Sequence, residues 1–213
     1  MSTENTATIS RQCDAHIARH SLLRHPFYQA WSDGTLPVPA LKDYAREYGA
    51  FIATVSQGWT TAGEPGIART EQGHAMIWDR NFAASLDTRV TGEPATAEVA
   101  ALVATARELF ADRPTALGAL YAFEAQQPLT AQSKLKGLGQ HYKQLPVRAC
   151  LYFNLHKDDF EEPAMLAEAM ESLSETDRAR AVNACEKMCE ALYDALSGVH
   201  APYAGDGCGC AKA

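Results

Sequence analysis

The chain has 213 residues, 46% hydrophobic and 21% charged, with a formal net charge of −7 and a pI near 5.5. Such a chain is long enough to bury a core as one globular domain. Its acidic balance argues against nucleic acid as a partner, because a phosphate-binding surface needs clustered Lys and Arg.

Met1 to Arg11 is polar and lacks the apolar centre of a signal segment, so residues 1–10 are expected to be a disordered lead-in to a single helical domain over 11–200. Apolar residues then recur at helical spacing, and no stretch alternates as a strand would. Helices are predicted at about 8–23, 26–33, 37–62, 65–87, 94–111, 114–127, 128–142, 145–160, 163–173 and 175–197, many opened by a proline in the first turn. Asp33-Gly34 marks a turn, and Ser174 with Asp177 resembles a capping box. No apolar run approaches the roughly 20 residues that cross a bilayer, so no membrane association is expected. Residues 201–213, with Gly205, Gly207 and Gly209 around Cys208 and Cys210, read as a flexible tail. The other cysteines, Cys13, Cys150, Cys185 and Cys189, are scattered through helical sequence, which suggests reduced thiols and a cytoplasmic protein. Short connections between many helices imply an all-α, compact bundle.

Three segments place polar groups in apolar surroundings. Glu71 and His74 stand at i and i+3 and share a helix face, the spacing by which di-iron carboxylate bundles present ligands. On its own such a pair arises equally well on a solvated helix. Glu124 sits among Leu120, Tyr121 and Phe123, where an unpaired carboxylate is costly. Tyr152 and His156 stack at i and i+4, followed by Asp159 and Glu162. Taken singly, that last segment reads equally as an amphipathic helix with a charged end. Together, Glu71, His74, Glu124, His156 and Asp159 or Glu162 make a mixed carboxylate–imidazole set of the kind that binds iron or manganese.

Several of these segments carry a family resemblance. His25-Pro26-Phe27-Tyr28-Gln29-Ala30-Trp31-Ser32-Asp33-Gly34, the run Leu41 to Tyr48, His74 with Trp78, Ala119 to Pro128, Lys134 to Leu138, and Tyr152 to His156 resemble the TenA/PqqC-like, heme-oxygenase-like diiron oxidases. The likeness spans roughly residues 20–200 and is greatest to the chlamydial and related self-sacrificing 4-aminobenzoate synthases. It implies a heme-oxygenase-like helical bundle and a dinuclear iron or iron–manganese centre. Dioxygen and an external reductant are its implied co-reactants, and the substrate is a small molecule or a tyrosine of the chain itself. By the same resemblance Tyr28 is the sacrificed ring, Lys134 the amine donor, and Tyr44 and Tyr152 are tyrosines near the metal. A homodimer is expected by analogy of fold. The family pattern His-x-x-x-Asp-x-x-His is broken here, because Phe160 and Pro163 follow His156 at those places. Two other readings stand beside this one: a metal-free TenA- or PqqC-like enzyme of thiamine or quinone-cofactor metabolism, and a non-enzymatic interaction protein of the same fold. No cysteine matches the nucleophile of the first, and no surface motif points to the second.

Overall fold

The computed structural model describes residues 8–204; residues 1–7 and 205–213, with Cys208, Cys210 and much of the expected lead-in and tail, lie outside the described residues. The described chain is all-helical, with no strand. Its helices are α1 (Ile9–Arg19), α2 (Pro26–Asp33), α3 (Val38–Ile52), α4 (Val55–Ala62), α5 (Pro65–Ile77), α6 (Ala97–Leu109), α7 (Arg113–Glu124), α8 (Gln127–His141), α9 (Leu151–His156), α10 (Glu161–Glu171) and α11 (Glu175–His200). No described helix is long and apolar enough to cross a membrane.

The helix α11 is the spine. Its 26 residues extend about 39 Å. Ala181, Cys185, Met188, Leu192, Ala195 and Val199 recur every three or four residues and are buried as one stripe. Against that stripe lies α7, in which all nine residues from Ala116 to Glu124 are buried. The two helices approach closely at Gly118, where an added Cβ would stand 1.9 Å from the carbonyl oxygen of Ala181. Ser174 opens α11 as the capping pattern implies, its hydroxyl accepting from the Asp177 N–H at 3.2 Å.

Three local breaks depart from the simple periodic reading, and each lies near the candidate site. The expected helix 37–62 divides at Ala53-Thr54, where the Thr54 hydroxyl and N–H both donate to the Phe51 carbonyl, at 2.7 and 2.8 Å. The expected helix 65–87 turns into a π-helical segment over Trp78–Ala83. The expected helix 145–160 is shorter: a 3-10 turn (Val147–Cys150) leads into α9, which ends at His156. A new helix, α10, then starts at Glu161, with Pro163 accommodated in its first turn. At the other end, α1 begins at Ile9, whose buried side chain and N–H bond to Glu171 place it inside the fold, earlier than the boundary at residue 11.

The N-terminus of α2 is fixed by His25. Its Nδ1 accepts from the Phe27 N–H at 3.0 Å, and its Nε2 lies 3.0 Å from the Ser197 hydroxyl on α11. The ring is therefore neutral with its proton on Nε2, and burial together with nearby His200 lowers its pKa to about 4. This contact holds Tyr28, one turn into α2, at a set height in the core.

The α7–α11 crossing gives a direct test. Gly118→Ala forces backbone apart and is expected to cost about 1–3 kcal/mol or more. Urea unfolding would show it as a lower midpoint, whereas Gly139→Ala, where a Cβ meets nothing within 4 Å, should leave the midpoint unchanged or raised.

Candidate metal centre

Four helices and one turn bring the acidic and imidazole groups together. Glu71 and His74 project from α5, Glu124 ends α7, and His156 ends α9. Asp159 lies in the turn after α9, and Glu162 in the first turn of α10. One ligand atom from each of Glu71, His74 and His156 lies within 4.8 Å of the others. The His74 Nδ1 is 2.6 Å from Glu71 Oε1, and the rings of His74 and His156 are 4.6 Å apart at 81°.

The donor set suits a cation. Glu71 Oε2 and His156 Nε2 are buried with no hydrogen-bond partner, although both side chains are only 1% exposed. Leaving a carboxylate oxygen and an imidazole nitrogen so is costly unless something positive sits between them. Burial, with His74 and Lys134 nearby, lowers the His156 pKa to about 3, so its ring is neutral with a free lone pair. Burial also raises the Glu124 pKa well above the usual range, and the charges of Glu71 and Glu162 add to it; the Trp59 indole N–H, 3.3 Å from Glu124 Oε1, opposes the shift. Burial and the charges of Asp159 and Glu71 raise Glu162 to about 8. Burial works against a charge on His74, but the Glu71 hydrogen bond and the charges of Glu71, Glu162 and Asp159 outweigh it and raise its pKa. Asp159 and Glu162 are thus electrostatic neighbours of the triad. Phe160, 55% exposed, faces away.

Beside this cluster lies an aromatic chamber. The Tyr28 and Tyr44 hydroxyls are 3.0 Å apart, and the Lys134 Nζ sits 4.9 Å from the centre of the Tyr28 ring, 5.6 Å from Tyr44 and 5.2 Å from Phe153. Burial raises the Tyr28, Tyr44 and Tyr152 phenols above their ordinary value, so all three are protonated at neutral pH. Trp78 bridges chamber and cluster, with its ring 5.5 Å from Tyr44 and 4.9 Å from Tyr152. Tyr152 in turn lies 4.5 Å from the His156 ring.

Tyr28, Tyr44, Tyr152, Lys134, Glu71, Glu124 and His156 are therefore buried in this one region, while His74, Asp159 and Glu162 are half-buried and act on it electrostatically or by contact. Two supporting residues escaped the sequence reading. Trp59 donates to Glu124, and Gln127 donates to the Tyr152 hydroxyl at 3.1 Å. The available signal was the polar atom each carries inside an apolar helix, since a buried indole or amide N–H requires an acceptor.

Burial also lowers the Lys134 pKa to about 7 from an ordinary value of 10.5. Below about pH 7 the folded chain bears the full cost of charging this amine; as pH rises from about 7 to 10.5 that cost is relieved. Replacing it with an apolar side chain of similar length, Lys134→Met, should raise the melting temperature at pH 6–7. The gain over the parent should shrink steadily towards pH 10 in thermal melts across this range.

No family model matches the chain. In sequence it is 29% identical over 231 aligned positions to the 4-aminobenzoate synthase of Nitrosomonas europaea, covering 93% of each chain. It is 28% identical to the 4-aminobenzoate synthase of Chlamydia pneumoniae, covering 86% of this chain and 91% of that one. In structure it is similar to a TenA homologue from Pseudomonas syringae, with a TM-score of 0.71 and 18% identity over 90% of each chain. It also matches a domain with a heme oxygenase-like fold from Shewanella denitrificans, with a TM-score of 0.68 and 16% identity, covering 92% of this chain and 90% of that one. The chain therefore has the TenA-like, heme-oxygenase-like helical fold, and along nearly its whole length it is similar to 4-aminobenzoate synthases.

Proposed function

We propose that this chain is an iron-dependent oxidase that forms 4-aminobenzoate from the ring of its own Tyr28, with Lys134 as the source of nitrogen. One observation carries the reading: a buried lysine amine stands 4.9 Å from the centre of a buried tyrosine ring, in a chamber adjoining the Glu71–His74–His156 group. The similarity to proteins named 4-aminobenzoate synthase supports the same product class.

The chain's own residues account for much of the chemistry. With its pKa near 7, Lys134 is substantially a neutral amine at neutral pH, the form that acts as a nucleophile. The Tyr44 hydroxyl meets that of Tyr28 and fixes the ring's orientation. Holding ring and amine in one chamber replaces a bimolecular encounter by a set geometry. Gln127 donates to the Tyr152 oxygen, which leaves the Tyr152 proton free to point elsewhere. The aromatic walls, Phe27, Trp31, Trp78 and Phe153, are buried and keep water from the ring. Glu71, His74 and His156 would hold the iron, with Glu124, Asp159 and Glu162 close by; bound there, it would supply the one-electron and dioxygen chemistry that side chains lack. Dioxygen and an external reductant are the co-reactants, and a cytoplasmic setting would supply the latter.

Purified protein loaded anaerobically with ferrous iron, then given a reductant and oxygen, is expected to release 4-aminobenzoate in no more than one equivalent per chain. Tyrosine labelled in the ring and incorporated biosynthetically should appear in the product. Tyr28→Phe removes one hydroxyl and one hydrogen bond, a loss of about 1 kcal/mol that the fold tolerates, and should abolish the product. Lys134→Arg should also abolish it, because Arg cannot become a neutral amine. Undiminished 4-aminobenzoate from Tyr28→Phe would refute the self-derived ring.

A further inference from the structure

We infer that both imidazoles of the centre serve one ion, so that the chain holds one metal tightly and leaves any second position with oxygen donors alone. The inference rests on reading the cluster as a metal centre and specifies how unequal its positions are.

A dinuclear carboxylate bundle commonly offers a Glu-x-x-His pair from each of two helices, which gives each ion its own imidazole. Only one such pair exists here. Glu71 stands three residues before His74, but the residue three before His156 is Phe153, a buried ring packed against Trp31 and Phe82. His156 thus comes to the centre without a carboxylate from its own helix.

Its geometry places it with His74. Two nitrogens bound to one ion at about 2.1 Å each stand at most about 4.2 Å apart. The ligand atoms of His74, His156 and Glu71 lie within 4.8 Å of one another, so that a side-chain shift of a few tenths of an ångström suffices to bring both nitrogens inside that span, and the two rings meet nearly edge to face, at 81°. Glu71 Oε2 and His156 Nε2 have no partner, so the free donors that need a cation belong to this same trio. Two imidazoles and one carboxylate form a facial set with open positions, suited to a single ferrous ion.

What remains is carboxylate. Glu124, Asp159 and Glu162 surround the trio electrostatically and contribute only oxygen. Phe160 and Pro163 offer no donor, and the break between α9 and α10 turns Phe160 to solvent. The other five histidines are elsewhere: His16 and His20 on and beside α1, His25 at the start of α2, His141 against Gly34, and His200 beside Phe27. A second ion would therefore lack imidazole, and an all-oxygen position favours manganese, magnesium or calcium with lower affinity.

Anaerobic titration of the metal-free full chain with cobalt(II) and with manganese(II), followed by optical spectra and by electron paramagnetic resonance, tests this without any turnover. The expected result is one equivalent bound at least about 100-fold more tightly than any other, with nitrogen donors visible in the spectrum. His74→Ala and His156→Ala should each weaken that same ion by more than about 100-fold, beyond what loss of a supporting contact produces. Glu124→Gln should leave the tight ion bound with the parent spectrum. Two equivalents of comparable affinity, or histidine variants that each remove a different ion of a pair, would overturn the inference while leaving the oxidase reading intact. Failure of both metals to bind at all would overturn the oxidase reading as well.

Discussion

Much in this structure turns on acid groups held out of water with no Arg or Lys to balance them, Glu71 meeting only the His74 ring at 2.6 Å. Glu71 and Glu124 are 1% and 2% exposed, and neither is paired with Arg or Lys. A lone buried carboxylate is expensive by any measure, and four neighbouring ones repel. The repulsion is visible in the raised pKa values of Glu124 and Glu162. The buried Lys134 amine is turned towards aromatic faces, and no acid pairs with it. Such an arrangement suits a positive charge brought from outside the chain, as the proposed metal centre would require.

The same burial acts in opposite directions on either side of Trp78. On the acid side, desolvation stores unfavourable charge that a cation relieves. On the chamber side, it lowers the Lys134 amine towards neutrality and keeps the Tyr28 and Tyr44 phenols protonated. One dry interior thus raises the Glu124 carboxyl and lowers the Lys134 amine at once. The edge-to-face rings from Tyr44 through Trp78 to Tyr152 lock their relative position, because rotating any ring would collide with the next.

Irregular backbone is concentrated around this region. The π-helical turn at Trp78–Ala83 follows directly on the helix bearing Glu71 and His74, and π turns are frequent at functional sites. It sets Trp78 so that its indole donates to the Ala45 carbonyl at 2.8 Å while its ring faces Tyr152. The end of α9 at His156 has a related effect: it frees Asp159 and Glu162 from the helical register and allows them to approach His74 from a separate element.

The fold class and the carboxylate and imidazole members of the candidate site were legible in the amino-acid sequence because both follow from local rules. Helical periodicity gave nearly all the helices, the Ser174 cap marked the start of α11, and the Glu71–His74 spacing put two donors on one face. Polar residues in apolar runs marked Glu124 and His156, since such groups are seldom buried without purpose, whereas Tyr28 and Lys134 stood out only through the family resemblance. The division of expected helices at Thr54 and after His156, the π turn, and the roles of Trp59 and Gln127 were decided by tertiary packing. A hydrogen bond to a carbonyl of the same helix, or to an acid 65 positions away as for Trp59 and Glu124, leaves no periodic trace in the chain. Which imidazoles come together is likewise a matter of how α5 and α9 cross, because spacing along a helix orders donors on one element and says nothing of the distance to the next.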